Sequence, residues 1–412
     1  MPASSITRPE PCPVGCGTQV GQTDFGIYVH VPFCTSRCDY CAFVTFTDHH
    51  ELMGAYVDAC VSELRHAREA GELRPATSLY LGGGTPSLLP PPDLERLVGA
   101  VELAPSAEVT VECNPESTTL PLLSCLISVG VSRVSLGAQS LVPHVLRSLG
   151  RTHTAGSLER SVELVAESGF ASYNLDLIFG ATSETDEDFL ATLEGVLDLE
   201  PRPPHVSAYA LSVEPGTPLA LDRSRHPDDD VEARRYLLAD DVLSEAGLEW
   251  YEISSWALPG HECRHNQLYW LGGQYKGIGC GAHSYLEARR SWNTASLTRY
   301  IDAVAGGRSP TAGSEVLEGP EQDLELAALA LRTRSGIPAD LLEDDPALEG
   351  LVDRRDGRAV LTRAGRLLAN EVTLRLRAPR TAKPARRREP DCGPTQQDDT
   401  KRIQSATLSG HG

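Results

Sequence analysis

Three cysteines follow a short apolar run in the stretch Tyr28-Val-His-Val-Pro-Phe-Cys-Thr-Ser-Arg-Cys-Asp-Tyr-Cys-Ala-Phe43. Cys34, Cys38 and Cys41 have the spacing C-x3-C-x2-C. Cysteine thiolates are the usual ligands of iron–sulfur clusters, and this spacing differs from the common four-cysteine patterns. Three thiolates can hold three irons of a four-iron cluster and leave the fourth iron open to a ligand that is not protein.

A zinc site and a disulfide are the alternative interpretations of these cysteines. Structural zinc takes four ligands, commonly two C-x2-C pairs or one pair with two histidines. A disulfide between two of the three cysteines would leave the third unpaired. Cys12 and Cys16 repeat the C-x3-C spacing, but they lie in a Pro/Gly/Thr-rich stretch without apolar periodicity. That composition predicts a disordered leader over residues 1–22.

The length and cysteine content predict a cytoplasmic protein with a large core. A chain of 412 residues can bury a sizeable interior. It contains no apolar run of about 18 residues, so no membrane span is expected. The first residues lack the basic and apolar regions of a secretory signal. Eleven cysteines in such a chain fit a reducing compartment, where thiols stay free.

The charge balance argues against a general nucleic-acid binder. The formal net charge is −20, and the last 33 residues hold seven Lys or Arg against four Asp or Glu. Residues 1–379 therefore carry 30 basic against 53 acidic side chains. Affinity for nucleic acid comes mainly from neutralising phosphates, so no nucleic-acid partner is expected.

Apolar β-rich runs alternate with helical patterns over the first half of the chain. Six runs are predicted as strands: Gly26–Val31, Ser78–Leu81, Glu108–Glu112, Val131–Leu136, Tyr173–Phe179 and Val206–Leu211. Strands separated by helices predict parallel βαβ units and an α/β fold. Because a closed barrel of this kind needs eight strands, six strands predict a partial (β/α)6 barrel or an open doubly wound sheet.

Distinctive polar and glycine residues come at the ends of these strands. In either architecture, ligands bind at the carboxyl ends of the parallel strands. The cysteines follow the first strand, Gly82-Gly-Gly-Thr-Pro86 follows the second, Glu112 ends the third, Gln139 follows the fourth and Asp176 lies in the fifth. The sequence therefore predicts one shared site at this edge.

The second half divides into two further regions and a tail. Residues 231–319 begin with a helix and continue into an aromatic-rich region of α+β character. Residues 320–379 combine a helical pattern with a short β segment, which predicts a small winged-helix-like domain that packs against the rest. Residues 380–412 are polar and include Arg386-Arg-Arg388, so they are predicted to be disordered.

The cysteine motif, with Tyr40 beside its last member, resembles the signature of radical S-adenosylmethionine (SAM) enzymes. In that superfamily, SAM chelates the open iron of a [4Fe-4S] cluster, and the reduced cluster cleaves it to a deoxyadenosyl radical. The resemblance implies that Cys34, Cys38 and Cys41 are the cluster ligands.

Further motifs narrow the resemblance to the oxygen-independent coproporphyrinogen III oxidase family, from about Phe25 to Leu376. They are Tyr28-Val-His-Val-Pro-Phe-Cys34, Gly82–Pro86, Val111-Glu-Cys-Asn-Pro115, Ser135-Leu-Gly-Ala-Gln-Ser140, Gly150-Arg151 and Asn174-Leu-Asp-Leu-Ile-Phe-Gly180. The residues that this resemblance places at SAM are Tyr28, Phe43, Gly83, Gly84, Thr85, Glu112, Gln139, Arg151 and Asp176.

Two features give the chain a closer resemblance to the heme-chaperone branch of that family. The oxidase motif continues to C-x3-C-x2-C-x-C, whereas Phe43 stands at the last position here. The stretch Arg264-His-Asn-Gln-Leu-Tyr-Trp270 matches the branch pattern HNxxYW, which is associated with heme. The resemblance thus implies heme contact by His265. The alternative is a structural role, in which His265 caps a turn and Tyr269 and Trp270 pack in the core, and Cys263 and Cys280 are rival thiolate ligands. By analogy, His283 faces the barrel.

The sequence therefore predicts a heme chaperone that binds a [4Fe-4S] cluster, SAM and heme. Its expected partners are recipient hemoproteins and, in a homodimer, a second copy of the chain. The alternative is oxidase activity, the radical decarboxylation of coproporphyrinogen propionates, and a radical enzyme with another substrate is a further rival. No catalytic residue is predicted beyond the cofactor ligands.

Overall fold

Six parallel strands form the centre of the protein, whose computed structural model describes residues 24–377. The predicted tails, including Cys12 and Cys16, lie outside the described residues. The strands are β1 (Phe25–Val31), β2 (Ala76–Gly83), β3 (Leu103–Cys113), β4 (Arg133–Gln139), β5 (Ser172–Phe179) and β6 (His205–Ala210). Each pairs in parallel with the next. This sequential order is that of an incomplete barrel, because a doubly wound sheet reverses its order partway.

Helices connect these strands and cover the outer face of the sheet. They are α1 (Met53–Glu69), α2 (Pro91–Gly99), α3 (Leu120–Ser128), α4 (Pro143–Ser148), α5 (Ala155–Ser168) and α6 (Asp186–Leu197). Helix α5 begins with a capping box, in which Thr154 and Ser157 bond each other's backbone, and it ends at Gly169 in the left-handed conformation. These signals fix both ends of the helix.

The sheet continues at both edges, so that it contains twelve strands in the described part of the chain. Next to β6 lie β7 (Glu249–Glu252) and β8 (Ser255–Ala257). On the other side, β9 (Gln274–Ile278) pairs in parallel with β1. Three antiparallel strands follow it: β10 (His283–Leu286), β11 (Arg289–Asn293) and β12 (Thr311–Val316). Strand β9 thus adds a seventh parallel strand, which the sequence pattern did not predict.

Helices of the second half pack around this sheet. They are α7 (Pro218–Leu221), α8 (Asp229–Glu245), α9 (Arg264–Trp270), α10 (Leu297–Ala305) and α11 (Pro320–Ala330). Between residues 24 and 377, no helix has the length and apolar content needed to cross a membrane.

The carboxy-terminal segment forms a small unit with its own hydrophobic cluster. Its strands β13 (Ile337–Pro338), β14 (Val352–Arg355) and β15 (Arg358–Leu361) make an antiparallel sheet with β15 in the middle. Helices α12 (Arg363–Leu367) and α13 (Ala369–Thr373) follow. A small antiparallel sheet between helices agrees with the predicted composition of this region.

The central strands alternate between an apolar outer face and a polar inner face. Leu79, Leu81, Val109 and Val111 are buried in the main core. Residues between them, such as Tyr80 and Glu112, face the interior of the barrel, as their mutual hydrogen bond requires. A strand with period-two alternation presents alternate residues to opposite faces. The barrel interior is therefore polar, which suits a ligand site better than a packed core.

Candidate functional site

The cysteine loop begins where β1 ends and folds back along it. The Phe46 amide donates to the Pro32 carbonyl at 2.7 Å, and the Cys34 amide donates to the Phe46 carbonyl at 3.0 Å. Cys34, Cys38 and Cys41 are free thiols of intermediate exposure. The backbone pairing holds the ends of the loop and leaves all three thiols available.

Burial raises the pKa of the Cys34 and Cys41 thiols, and repulsion from the neighbouring cysteines raises it further. Opposing this, the Thr85 hydroxyl lies 3.6 Å from Cys34 Sγ and Arg151 Nη1 lies 3.5 Å from Cys38 Sγ. Three closely spaced thiolates need positive charge to coexist. Iron cations supply that charge, so this donor set fits an iron–sulfur cluster.

The three thiols belong to one short loop after β1. In residues 24–377, no group of three or more His, Cys, Asp or Glu side chains could hold a single metal ion. In an iron–sulfur cluster each cysteine binds a different iron. A cluster can therefore take one iron ligand from each of the three cysteines, whereas one zinc ion would need all of its ligands at a single point.

The glycine turn after β2 packs directly against the cysteine loop. The Gly84 amide donates to the Val31 carbonyl at 2.8 Å, and the Thr85 amide donates to the Phe33 carbonyl at 2.8 Å. A Cβ atom at position 84 would lie 2.7 Å from the Val31 oxygen. Only glycine allows this approach, which explains why the turn needs it.

Glu112 is a buried carboxylate at the end of β3. It accepts hydrogen bonds from the Gly83 amide at 3.0 Å and from the Tyr80 hydroxyl at 2.9 Å. Burial, followed by the nearby charge of Asp176, raises the pKa of Glu112 to about 7. Near neutral pH, this group therefore exchanges readily between its charged and neutral forms.

Asp176 is the second buried carboxylate and lies on β5. Its oxygens accept from the Ser135 hydroxyl and from the Asn174 amide, each at 2.8 Å. Burial raises the pKa of Asp176, while these two donors lower it. The donors fix the orientation of the carboxylate toward the cavity.

Arg151 links the cysteine loop to two strands. Its Nη2 donates to Asn114 Oδ1 at 2.8 Å and to the Gly137 carbonyl at 3.1 Å, while Nη1 faces Cys38. Nearby, Gln139 adopts a φ of 61°, in the left-handed region that non-glycine residues rarely occupy. Such a conformation is typical of functional sites, where packing holds the backbone in place.

These groups surround one cavity of about 590 Å³ at the carboxyl ends of the strands. That volume lies in the range of small-molecule sites. Eleven of the predicted site residues line it: Cys34, Cys38, Cys41, Phe43, Gly83, Gly84, Thr85, Glu112, Gln139, Arg151 and Asp176. The edge predicted from the strand pattern is thus one continuous site.

Tyr28 and His265 do not line this cavity. Tyr28 lies below it in the barrel, where its ring stacks on Tyr80 and its hydroxyl lies 3.0 Å from His30 Nδ1. His265 lies further down, and its ring stacks on Tyr80 from α9. Contact of SAM with Tyr28 therefore stays a prediction.

Both ring nitrogens of His265 are engaged. Nδ1 lies 2.9 Å from Ser78 Oγ, and Nε2 lies 2.7 Å from the Tyr269 hydroxyl. The ring is buried, which lowers the pKa of His265 to about 3. Contact of His265 with heme stays a prediction, and iron ligation would have to break one of these two bonds.

The other residues considered for heme lie in different surroundings. Cys263 is buried with its thiol 3.6 Å from Glu108 Oε1, and Cys280 is buried beside Tyr56. His283 is exposed on β10, and its ring lies parallel to that of Trp292.

The cavity also contains polar residues that the sequence did not single out as ligand contacts. Tyr80, Asn114, Ser135 and Tyr209 line it on the inner face of the barrel. The available signal was the alternation of polar and apolar residues along strands that a parallel βαβ fold buries on both faces. A strand buried by helices alone would have no polar alternation.

Comparisons with known proteins agree with this geometry. Residues 28–196 match the Radical SAM superfamily. A protein of Mycobacterium tuberculosis (strain H37Rv) named heme chaperone HemW is 44% identical over 368 residues, which cover 84% of this chain and 93% of that protein. The chain belongs to the HemW family. This confirms the family branch predicted from Phe43 and the HNxxYW pattern.

Two further relatives of this HemW-family chain extend the comparison. The heme chaperone HemW of Bacillus subtilis is 30% identical and covers 84% of this chain and 97% of that protein. The solved structure of coproporphyrinogen III oxidase (HemN) from Escherichia coli has a TM-score of 0.74 at 23% identity, covering 85% of this chain and 89% of that chain. At this identity, the likeness establishes the α/β radical SAM fold alone.

Proposed function

We propose that this HemW-family protein is a heme chaperone that binds a [4Fe-4S] cluster and SAM and delivers heme to hemoproteins. The observation that carries the proposal is the placement of three free thiols on one wall of a cavity whose interior holds two buried carboxylates. The family supplies the cargo, since the relatives are named heme chaperones.

Cys34, Cys38 and Cys41 would hold the cluster, which would supply one-electron chemistry and an open iron. The cavity contains one more cysteine, Cys113, but its thiol lies 4.0 Å from the Val111 carbonyl in the main core. Phe43 occupies the position of the fourth cysteine in the oxidase pattern, and 63% of its surface is exposed. These observations support a cluster in which one iron has no ligand from the protein.

The chain's own groups would bind and orient SAM beside that iron. Gly83 and Gly84 allow close approach to the backbone, and Thr85 supports the first cysteine. Glu112 and Asp176 can accept hydrogen bonds from the amino group and the ribose hydroxyls. Arg151 and Gln139 are donors for a carboxylate, and Phe43 limits access of water at the mouth.

Heme transfer provides the direct test. The full-length protein is reconstituted with iron and sulfide without oxygen, loaded with heme and mixed with the apo form of a respiratory hemoprotein. We expect recovery of the acceptor's activity faster than from heme-loaded serum albumin at equal heme concentration. Recovery no faster than from albumin would contradict the chaperone function.

A cysteine variant and an oxidase assay separate the remaining alternatives. Cys38→Ser should lose the cluster, while Cys125→Ser, at a thiol of intermediate exposure on the outer helix α3, should retain it. Zinc at the site, or retention of the whole cluster in Cys38→Ser, would contradict the proposed ligands. The same reconstituted protein is incubated with coproporphyrinogen and SAM, and formation of protoporphyrinogen would establish the oxidase instead.

The domain organisation is part of the same proposal. Residues 23–230 would form the radical SAM barrel, residues 231–319 the heme-associated region and residues 320–379 the winged-helix-like domain. The separate hydrophobic cluster and the three-stranded sheet of the last region support its independence. A cytoplasmic location, a homodimer and the hemoprotein recipients complete the proposal.

A further inference from the structure

The four strands β9 to β12 extend the inner face of the barrel beyond β1. Residues that lie directly opposite each other in a sheet share a face. Tyr275 on β9 is opposite Tyr285 on β10, and Gly26 on β1 is opposite Tyr275. The inner face of the barrel therefore continues through Tyr275 and Tyr285. Two residues before Tyr285, and thus on the same face, lies His283, which is opposite Trp292.

Helix α11 covers only the lower part of this face. Gln322 Nε2 donates to the Tyr285 hydroxyl at 3.0 Å, and Glu325 forms an ion pair with Arg290. Tyr285 and Arg290 are opposite each other in the sheet, so α11 covers both members of this pair. The next pair toward the mouth of the barrel is His283 and Trp292, and within residues 24–377 no hydrogen bond or ion pair joins it to α11.

His283 and Trp292 form an aromatic surface in which the two rings stack on each other. Their ring centroids are 6.0 Å apart, with 27° between the ring planes. The indole lies against β12, since a Cβ atom at Gly313 would come within 2.4 Å of it. Glycine at that position lets the ring lie flat on the strand. The indole thus packs on one side of the imidazole and leaves the exposed edge of that ring open to a ligand.

The imidazole of His283 is exposed, and neither ring nitrogen has a hydrogen-bond partner among residues 24–377. A neutral imidazole nitrogen is a common axial ligand of heme iron. His265 contrasts with it, because that ring is buried and both of its nitrogens are bonded. The free nitrogen and the open space at His283 are what ligation by an imidazole requires.

The surface adjoins the cysteine loop. A Cβ atom at Gly281, two residues before His283, would lie 2.7 Å from Val44 Cγ2. Val44 follows Phe43, which exposes 63% of its surface at the cavity mouth. An exposed apolar side chain beside a metal-binding group without a partner is more typical of a ligand-binding surface than of ordinary protein surface.

We propose that His283 ligates the iron of heme on this open surface, with Trp292 stacked on the imidazole and Phe43 beside the porphyrin. The inference rests on the proposed chaperone function and adds the place where the cargo is held. The indole can keep its stacking on His283 while the heme iron provides the partner that the imidazole nitrogen lacks, and the exposed Phe43 offers an apolar contact. Heme would then lie outside the cavity proposed for SAM, so both can be present together.

Hemin titration of the full-length protein, followed by its Soret band, tests the ligand. Removing a residue that hydrogen-bonds to a metal ligand typically weakens metal binding by about 10–100-fold. Loss of the ligand itself in His283→Ala should therefore weaken hemin binding by at least about tenfold and remove the band of histidine-ligated iron. Free imidazole should restore that band in His283→Gly. The control His66→Ala removes another exposed histidine, on the outer helix α1, and should titrate like the wild type.

Trp292→Ala provides a second variant that leaves the ligand in place. It should weaken hemin binding while the spectrum of histidine-ligated iron remains. If His283→Ala titrates like the wild type, His283 is not the ligand, and loss of the band in His265→Ala would then place heme at the buried histidine. If the wild type itself fails to bind hemin, the proposed chaperone function fails together with this site. Iron content and circular dichroism of each variant show whether the cluster and the fold are intact.

Discussion

The backbone amide of Gly83 donates a hydrogen bond of 3.0 Å to Glu112 Oε2, which joins the glycine turn after β2 to the end of β3. The same carboxylate accepts from Tyr80, and burial leaves it with a pKa of about 7. A glycine amide and a tyrosine hydroxyl are neutral donors that only partly replace the water lost on burial. The charge of the Glu112 carboxylate is thus only partly compensated. A cationic ligand can provide the missing positive charge.

We predict that affinity for SAM falls as the pH is lowered through about 7. Because the pKa of Glu112 is raised, its charged form is present above this pH and is lost below it. Only the charged form attracts the amino group of SAM, so the affinity should decrease by up to about tenfold per pH unit below the pKa. Anaerobic calorimetry of the reconstituted protein between pH 6 and 8 measures this dependence.

Glu112→Gln should bind SAM weakly at every pH in this range, since it cannot acquire the charge. Glu69→Gln, at an exposed position on the outer helix α1, should retain the wild-type pH profile. A pH-dependent affinity of wild-type size in Glu112→Gln would assign the titration to another group.

Gly84→Ala should impair cluster assembly. The new Cβ atom would lie 2.7 Å from the Val31 oxygen and 2.8 Å from the Phe33 oxygen, both in the backbone leading to Cys34. The loop must shift to relieve this contact, and overpacking of this kind costs about 1–3 kcal/mol. We expect less iron and sulfide per chain after reconstitution than in the wild type.

The matched control is Gly99→Ala at the end of α2, where a Cβ atom would meet no other group within 4 Å. This variant should assemble the cluster normally, because alanine also favours the helix. Wild-type iron content in Gly84→Ala would show that the loop tolerates the shift.

Much of the site was predictable because its residues follow the strands that carry them. Cys34, Gly83, Glu112 and Asp176 are far apart in the sequence, yet parallel strands bring their carboxyl ends to one edge. The periodicity of each strand and the helix between strands were enough to predict that edge. The level of a residue along its strand was harder to predict. Tyr28 is on the inner face of the barrel, but it lies below the cavity.

Contacts between distant segments were not predictable from local patterns. Strand β9 has only five residues, including Gly277, and its parallel neighbour β1 lies about 250 residues earlier in the chain. Nothing in that short sequence indicates such a pairing. Likewise, α9 places the ring of His265 against Ser78 and Tyr80 in the barrel, a contact that the local sequence does not indicate. Packing of this kind depends on the whole fold.

Asp240→Asn should destabilise the contact between α8 and the carboxy-terminal segment. Asp240 accepts from both terminal nitrogens of Arg366, at 2.8 and 2.9 Å, and from the Trp256 indole at 2.9 Å. The Arg366 side chain is only 9% exposed, so an amide in place of the carboxylate leaves a buried charge unpaired. Breaking such a pair costs about 3 kcal/mol in the free energy of unfolding, which urea denaturation measures.

The adjacent residue provides the control for this prediction. Asp241 also pairs with an arginine, Arg363, but its side chain is 56% exposed. Asp241→Asn should therefore cost less than about 1 kcal/mol. Equal losses of unfolding free energy in the two variants would show that the bidentate pair contributes no more to stability than the exposed pair.

His265→Ala should destabilise the protein by about 2–3 kcal/mol at pH 7, because it leaves Ser78 and Tyr269 without a buried partner. The loss should depend on pH. Burial lowers the pKa of His265 from 6.5 to about 3, so below pH 6.5 the unfolded chain binds a proton that the folded protein excludes. Wild-type stability therefore decreases on acidification, and the difference between the two proteins should be about 2 kcal/mol smaller at pH 5 than at pH 7.

Urea denaturation at both pH values measures this change, with His66→Ala as a surface control. A difference that does not vary with pH would mean that His265 is accessible to protons in the folded protein.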